Sequence, residues 1–446
     1  MKKITAVLLS ALFVLLASAC GGENASSEHA FLTSSSLPSS PSSKDDSSSS
    51  PSDISSGQVS RPESKPEGDR EQDIIPAPEN TPHKNHYAYS LLTNVQKVYY
   101  EAMHTAVEEM HPSWIVLGPR TDSYTTDVAV VRGALIADHP DIFWLPHYYV
   151  TATGADGEGN LTALMMFSSS LELSPAYLIT RSEKAYMEAE LERAVEEITS
   201  LVTATEPFEI ELQLHDLLCQ RVSYSDDKND EMIYTAYGAL VNGKAICEGY
   251  TRAMQLLLSK FGILSTTVSG VAENEGHMWN LVNIDGNWYH LDVTWNDADG
   301  FISHEYFNIT DSEISLDHTF SKDYTELLSE ELSGGMAFNI SKPPCTESAA
   351  DYFVNKGLIF DVGKTEELAE QIAVSPDDII EVKFVNTDAK KDFTVNTSLY
   401  VDEINAQIAQ KHPEADFYIG RVSVSSLTLK LYKEQKEDSA SAESSF

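Results

Sequence analysis

Residues 243–295 read GKAICEGYTRAMQLLLSKFGILSTTVSGVAENEGHMWNLVNIDGNWYHLDVTW, and this stretch decides the fold. From Cys247 to Lys260 the pattern is helical. Tyr250, Ala253, Met254, Leu257, Leu258 and Phe261 recur at three- and four-residue steps and mark one buried face, and Gly262 supplies the stop. Cys247 thus opens the helix, where unpaired N–H groups and the dipole favour a thiolate. Downstream, two strands meet at Asp285-Gly286, a strong two-residue hairpin signal. That register pairs Ile284 with Asn287. Counting back sets His277 opposite Thr294 and Asp292 opposite Trp279. Side chains alternate, so these four share a face, with His277 and Asp292 as diagonal neighbours about 7–8 Å apart.

A thiol at a helix start, an imidazole on one strand and a carboxylate on the next can supply a nucleophile, its base and the group that orients the base. Each residue also has a plainer reading: a small buried hydrophobe, a structural histidine, a turn aspartate. Helix start, hairpin register and chain order agree jointly on catalysis. His290 shares the face, opposite Leu281, and is the alternative base.

The segment resembles the transglutaminase-like superfamily, which uses a papain-like Cys-His-Asp triad. The resemblance rests on GKAICEGYTRAM around Cys247, on GHMWNLVNIDGNWYHLDVTW around His277 and Asp292, and on YFNITDSEI, Tyr306 to Ile314. It implies an α+β catalytic domain, with Cys247 on a helix as nucleophile and a sheet carrying His277 as base and Asp292 as its orienter. The family holds amide-cleaving peptidases, cross-linking transferases and members that only bind. The expected reaction is attack on an amide of a peptide or protein to give a Cys247 thioester, with hydrolysis preferred, transfer to an amine as the alternative, and a non-catalytic binding protein as the rival. The backbone N–H of Cys247 is one oxyanion donor, and Tyr237 and Asn242 are candidates for the second. No calcium, other metal or cofactor is expected. Asn296 to Gly300 lacks the closing Glu of a calcium loop and reads as a turn.

The chain opens MKKITAVLLSALFVLLASAC. Lys2 and Lys3 precede an apolar run too short to span a bilayer, which is the pattern of a signal peptide over 1–19. Ala17-Ser18-Ala19-Cys20 resembles a bacterial lipobox with Cys20 as the lipidated residue. The expected location is the extracytoplasmic face of the cell membrane, held by lipid alone. Residues 20–85 combine that cysteine with a Ser/Pro-rich tether, too poor in apolar residues to fold. A coil of this length spans on the order of 45 Å.

Lys+Arg number 30 against Asp+Glu 69, a formal charge of −39. Nucleic acids and anionic lipid surfaces need a basic face, so neither is a partner. A peptide or protein substrate bearing a free amine, in a setting that includes the cell wall, suits the field. Of four cysteines, Cys20 and Cys247 have roles, and Cys219 and Cys345 leave a disulfide open.

Around the catalytic domain (204–320) lie an N-terminal α/β region (86–203) and a small C-terminal α+β module (346–435), followed by a disordered tail (436–446) whose polar composition begins at Glu434. The N-terminal region reads as a helix over Leu92–Met110, paired strands Asp141–Thr153 and Asn160–Ser168, and a second helix over Met187–Leu201. The C-terminal module reads as strands at Asp351–Phe360, Ile379–Val385 and Asp416–Tyr432 with helices at Thr365–Ala373 and Ser398–Lys411. It is assigned an accessory, wall- or partner-binding role.

Overall fold

The computed structural model describes residues 86–146, 149–167, 177–227, 229–298, 300–320 and 341–436. The signal peptide, Cys20, the tether and all of the tail beyond Lys436 lie outside the described residues. No helix among the described residues is long and apolar enough to cross a membrane.

The fold is α+β. The first part comprises α1 (Tyr87–Ser90), α2 (Asn94–Glu108), β1 (Ile115–Pro119), α3 (Tyr124–Asp138), β2 (Tyr149–Ala155), β3 (Asn160–Phe167) and α4 (Arg181–Thr199). The strands form an antiparallel sheet in the order β1-β3-β2. The first strand is shorter than its sequence reading. Ile142, Phe143, Trp144 and Leu145 are buried in an irregular segment, because their apolar run packs into the core instead of a ladder. β1 and α3 are additions to that reading.

The catalytic segment follows with α5 (Pro207–Arg221), β4 (Ser223–Tyr224), a 3₁₀ turn (Glu231–Tyr234), α6 (Ala236–Leu240), β5 (Lys244–Ala245) and α7 (Cys247–Lys260). Its main sheet is built from β6 (Ser265–Ala272), β7 (Glu275–Ile284), β8 (Asn287–Leu291), β11 (Phe307–Ile309) and β12 (His318–Phe320). Between β8 and β11 lie α8 (Val293–Asn296), β9 (Asp297–Ala298) and β10 (Phe301–Ile302). The main sheet is antiparallel in the order β11-β8-β7-β6-β12. A continuous apolar core runs from Ala88 through α4, α5 and α7 to Phe307, so the N-terminal region and the catalytic segment share it.

The hairpin register is as read: Ile284 pairs with Asn287 and Leu281 with His290, with Asp285 and Gly286 at φ 52° and 88°, as a primed turn requires. The second strand, however, ends at Leu291. Asp292 leaves the ladder and caps α8, accepting from the Trp295 N–H at 3.1 Å. The β7–β8 register therefore stops at Asn280 and Leu291, so His277 does not face Thr294; on its other side it pairs with Gly270 of β6. The cause is the preference of Asp for an N-cap, which overrides the β-branched Val293 and Thr294.

The C-terminal module has its own core and a four-stranded sheet, β13 (Ile359–Phe360), β14 (Ile379–Phe384), β16 (Thr428–Gln435) and β15 (Phe417–Val424), in that spatial order. The strand read over Asp351–Phe360 is instead a short helix, Tyr352–Lys356, capped by Asp351 and stopped by Gly357 at φ 68°. A helix over Thr387–Val395 was not read. Glu434 and Gln435 pair with Tyr418 and Phe417 and so belong to the sheet, not to the tail. Cys219 and Cys345 are free, buried thiols, which closes the disulfide question in this structure.

Candidate active site

Cys247 is the first residue of α7. Backbone packing sets its position. The Ile246 N–H donates to the Ile233 carbonyl of the 3₁₀ turn at 3.0 Å. A Cβ at Gly249 would lie 2.3 Å from that same carbonyl oxygen, so only glycine lets the first turn approach so closely. Thr251 then ties the helix to β7: its hydroxyl contacts the Cys247 carbonyl at 2.8 Å and the Met278 carbonyl at 3.0 Å.

On β7, His277 Nε2 donates to Asp292 Oδ2 at 2.6 Å, and the Cys247 thiol lies near enough to the imidazole to help raise its pKa. Burial alone would lower the His277 pKa, but the Asp292 carboxylate and the thiol outweigh it and raise it to about 10. The charged imidazolium is thus the favoured form at neutral pH. Burial pushes the Asp292 carboxyl up, yet the imidazoles of His277 and His318 hold it well below the usual carboxylate range. Cys247, His277 and Asp292 therefore stand together in the order read from the sequence.

His290 is not part of this group. Its Nδ1 accepts from the Trp279 indole at 2.8 Å and its Nε2 donates to Asp311 at 2.9 Å. Burial pulls it down to about 4, which keeps it neutral.

The oxyanion candidates are corrected. The Tyr237 hydroxyl donates to Glu190 on α4 at 2.7 Å and its ring packs on Phe143, because the Tyr237 side of α6 faces the core. Asn242 is exposed in the turn before Gly243 (φ 68°). Among the described residues no contact brings either to Cys247. Tyr224, which the sequence reading missed, does lie there. β4 pairs in parallel with β5, setting Tyr224 against Ala245, two residues before Cys247. Its hydroxyl is pushed up to about 12 by partial burial and by the charges of Cys247, Glu275 and Asp226. The signal available was the short β-prone SY pair after α5.

The Asn296–Gly300 stretch is structural where it is described. Asn296 bridges His215 and the Tyr306 N–H, and Asp297 accepts from Tyr250 at 2.5 Å. Asp299 lies outside the described residues.

His318 on β12 is the other residue the sequence reading missed. Its Nε2 lies 3.1 Å from Asp292 Oδ2, and its Nδ1 lies 2.6 Å from Asp317.

Residues 193–293 match the family model of the transglutaminase-like superfamily, so the chain carries a transglutaminase-like domain. A comparison with curated proteins found no match. Among solved structures, the chain is similar to a TGase at 13% identity, covering 44% of this chain and 52% of that one, with a TM-score of 0.24. It is also similar to a candidate cysteine protease from Cytophaga hutchinsonii at 12% identity, covering 33% and 62%, with a TM-score of 0.21. A third likeness is menin, described with its binding site for the Mixed Lineage Leukemia protein, at 14% identity, 53% and 54% coverage and a TM-score of 0.22. The chain thus spans 52–62% of the length of these three. At such TM-scores none of them bears on function.

Proposed function

We propose that the protein is a thiol enzyme that opens an amide of a peptide or protein through a Cys247 thioester, which water then hydrolyses. The observation that supports this is the grouping of Cys247, His277 and Asp292, with His277 hydrogen-bonded to Asp292, assembled from a helix start, a strand and a helix cap. The thiolate adds to the carbonyl carbon. The oxyanion takes the Cys247 N–H and, in this reading, the Tyr224 hydroxyl. His277 gives its proton to the departing amine, then takes one from the water that attacks the thioester.

Asp226 and Glu275 flank Tyr224 and favour a substrate with positive charge near the scissile amide. The same carboxylates would draw in a lysine amine as acyl acceptor, so transfer is the second reading. We place the enzyme at the extracytoplasmic membrane face through lipid on Cys20, an assignment supported by the leader pattern alone. Cys20→Ser should release the protein from membranes; retention after a high-salt wash would overturn the anchor.

A cysteine-directed probe tests the chemistry without knowledge of the substrate. Cys247 should react far faster than a denatured thiol, and an equal rate would favour the binding-protein rival. A glutamine peptide offered with a labelled amine, with ammonia release followed in parallel, separates the two outcomes. Dominant amine incorporation would replace hydrolysis by transfer.

A further inference from the structure

Asp292 carries more than one histidine. Its Oδ2 accepts from His277 at 2.6 Å and from His318 at 3.1 Å, and its Oδ1 accepts from the Trp295 N–H. His318 is fully buried and ringed by Trp295, Trp279 and Tyr306, with ring centroids 4.4, 5.1 and 5.3 Å away. Its second nitrogen is held by Asp317, whose carboxylate also accepts from the Tyr306 hydroxyl at 2.7 Å and is held below the usual carboxylate range with help from the nearby Ser426 side chain. Ser426 belongs to the C-terminal module, in the turn between β15 and β16. The flanking residues of that turn are anchored as well. The Ser425 hydroxyl and the Leu427 N–H both donate to Glu305, at 2.7 and 2.8 Å. The Leu427 side chain packs into the cluster of Val268, Trp279, Leu281 and Tyr306 behind the triad.

We propose that His318 is a positioning residue for the triad and that the Ser425–Leu427 turn of the C-terminal module completes the site by holding Asp317 and His318 in place. This inference rests on the thiol-enzyme reading above. A carboxylate with a single donor on Oδ2 can swing about its Cβ–Cγ bond. Two ring donors on that oxygen and a backbone donor on the other fix its plane. The aromatic surround excludes water, so each of these bonds is strong and the cost of losing one is high. His318 hydrogen-bonds Asp292 and Asp317, and among the described contacts none joins it to Cys247. It acts through Asp292, which must stay ionised and correctly turned to keep His277 charged. The module is then part of the catalytic unit, not a free accessory.

The alkylation rate of Cys247, followed by mass spectrometry of its own peptide at pH 6 and pH 9, tests this in the full chain. In the wild type the pH 6 rate should stand well above that of free cysteine, as the thiol-enzyme reading requires. His318→Leu should lower the pH 6 rate by roughly tenfold or more, the scale seen when a supporting partner is removed from a site. His318→Gln, whose amide N–H can replace Nε2–H, should recover most of it. Ser426→Ala, a mild change in a turn, should produce a smaller loss of the same kind. A merely structural role would shift melting temperature in these variants and leave the pH 6 to pH 9 ratio of the folded protein at its wild-type value; that result overturns the inference. An activated wild type with unchanged ratios in every variant defeats it alone. A wild-type thiol that behaves like free cysteine defeats the thiol-enzyme reading and this inference with it.

Discussion

The two ends of the triad are held by opposite means. Cys247 is placed by backbone: a helix start, a glycine at close approach and a carbonyl of the neighbouring 3₁₀ turn, all between Ile233 and Gly249. Asp292 is placed mainly by side chains, with ring donors from β7 and β12, one backbone donor from α8, and a buttress from the module beyond residue 424. A backbone-set position tolerates side-chain change nearby and fails through sterics. A side-chain-set position fails one hydrogen bond at a time, and each loss has its own size.

The largest effect should follow removal of the nucleophile: Cys247→Ala abolishes probe labelling and turnover outright. Asp292→Ala should cut kcat/KM by about 10³-fold while also removing the α8 cap, at about 1 kcal/mol. Asp292→Asn keeps a cap acceptor, so comparing the two by steady-state kinetics and urea unfolding separates charge from capping. Next comes Tyr224→Phe, with an expected loss of about 10²-fold in kcat. If Tyr237→Phe shows that loss instead, the corrected oxyanion assignment is wrong.

Gly249→Ala probes the backbone-set end. It should destabilise the protein by about 1–3 kcal/mol in urea, because the new methyl meets a carbonyl 2.3 Å away that belongs to a packed turn. A neutral outcome would mean that the first turn of α7 can slide, and the contrast between the two ends would collapse.

The pH dependence sharpens the other end. His277 is raised to about 10. Relative to an unfolded value near 6.5, the stability it contributes is fully present below that pH and is lost as pH rises through about 10. Asp292 is lowered, so its share is present above about 4 and is lost only as pH falls. The stability gap between wild type and Asp292→Asn, read from denaturant midpoints, should narrow steadily from pH 7 to pH 10. A constant gap would contradict the charged pair. The smallest change in activity, less than about threefold, is expected for His290→Gln, whose partners are Trp279 and Asp311; its cost should appear as about 1–3 kcal/mol of stability.

What was legible in the sequence follows this division. Periodicity and turn chemistry are local, so the helix start at Cys247 and the Asp285-Gly286 hairpin could be read directly. The end of β8 was misjudged because Val293 and Thr294 look strand-like, while Asp292 acts as a cap. His318 was not legible at all. It stands 26 residues from Asp292 and meets it only because β12 lies beside β6, where Gly270 leaves room: a Cβ there would sit 2.1 Å from the Thr319 carbonyl oxygen. In the module, the cap Asp351 and the stop Gly357 were present as signals for the short helix, but the apolar run between them dominated the reading. The helix over Thr387–Val395 buries only Ala389 and Phe393, too few to print a period.

The turn at Ser425–Leu427 also has a consequence in time. A chain made from its N-terminus presents the thiol first, then its imidazole, then the carboxylate, and the clamp on that carboxylate more than a hundred residues later. During synthesis the Cys247 sulfur would therefore remain an ordinary cysteine. Full nucleophilicity would arrive only when nearly the whole polypeptide has emerged and the module has closed against the sheet, so the order of the chain itself delays the chemistry until the molecule is finished.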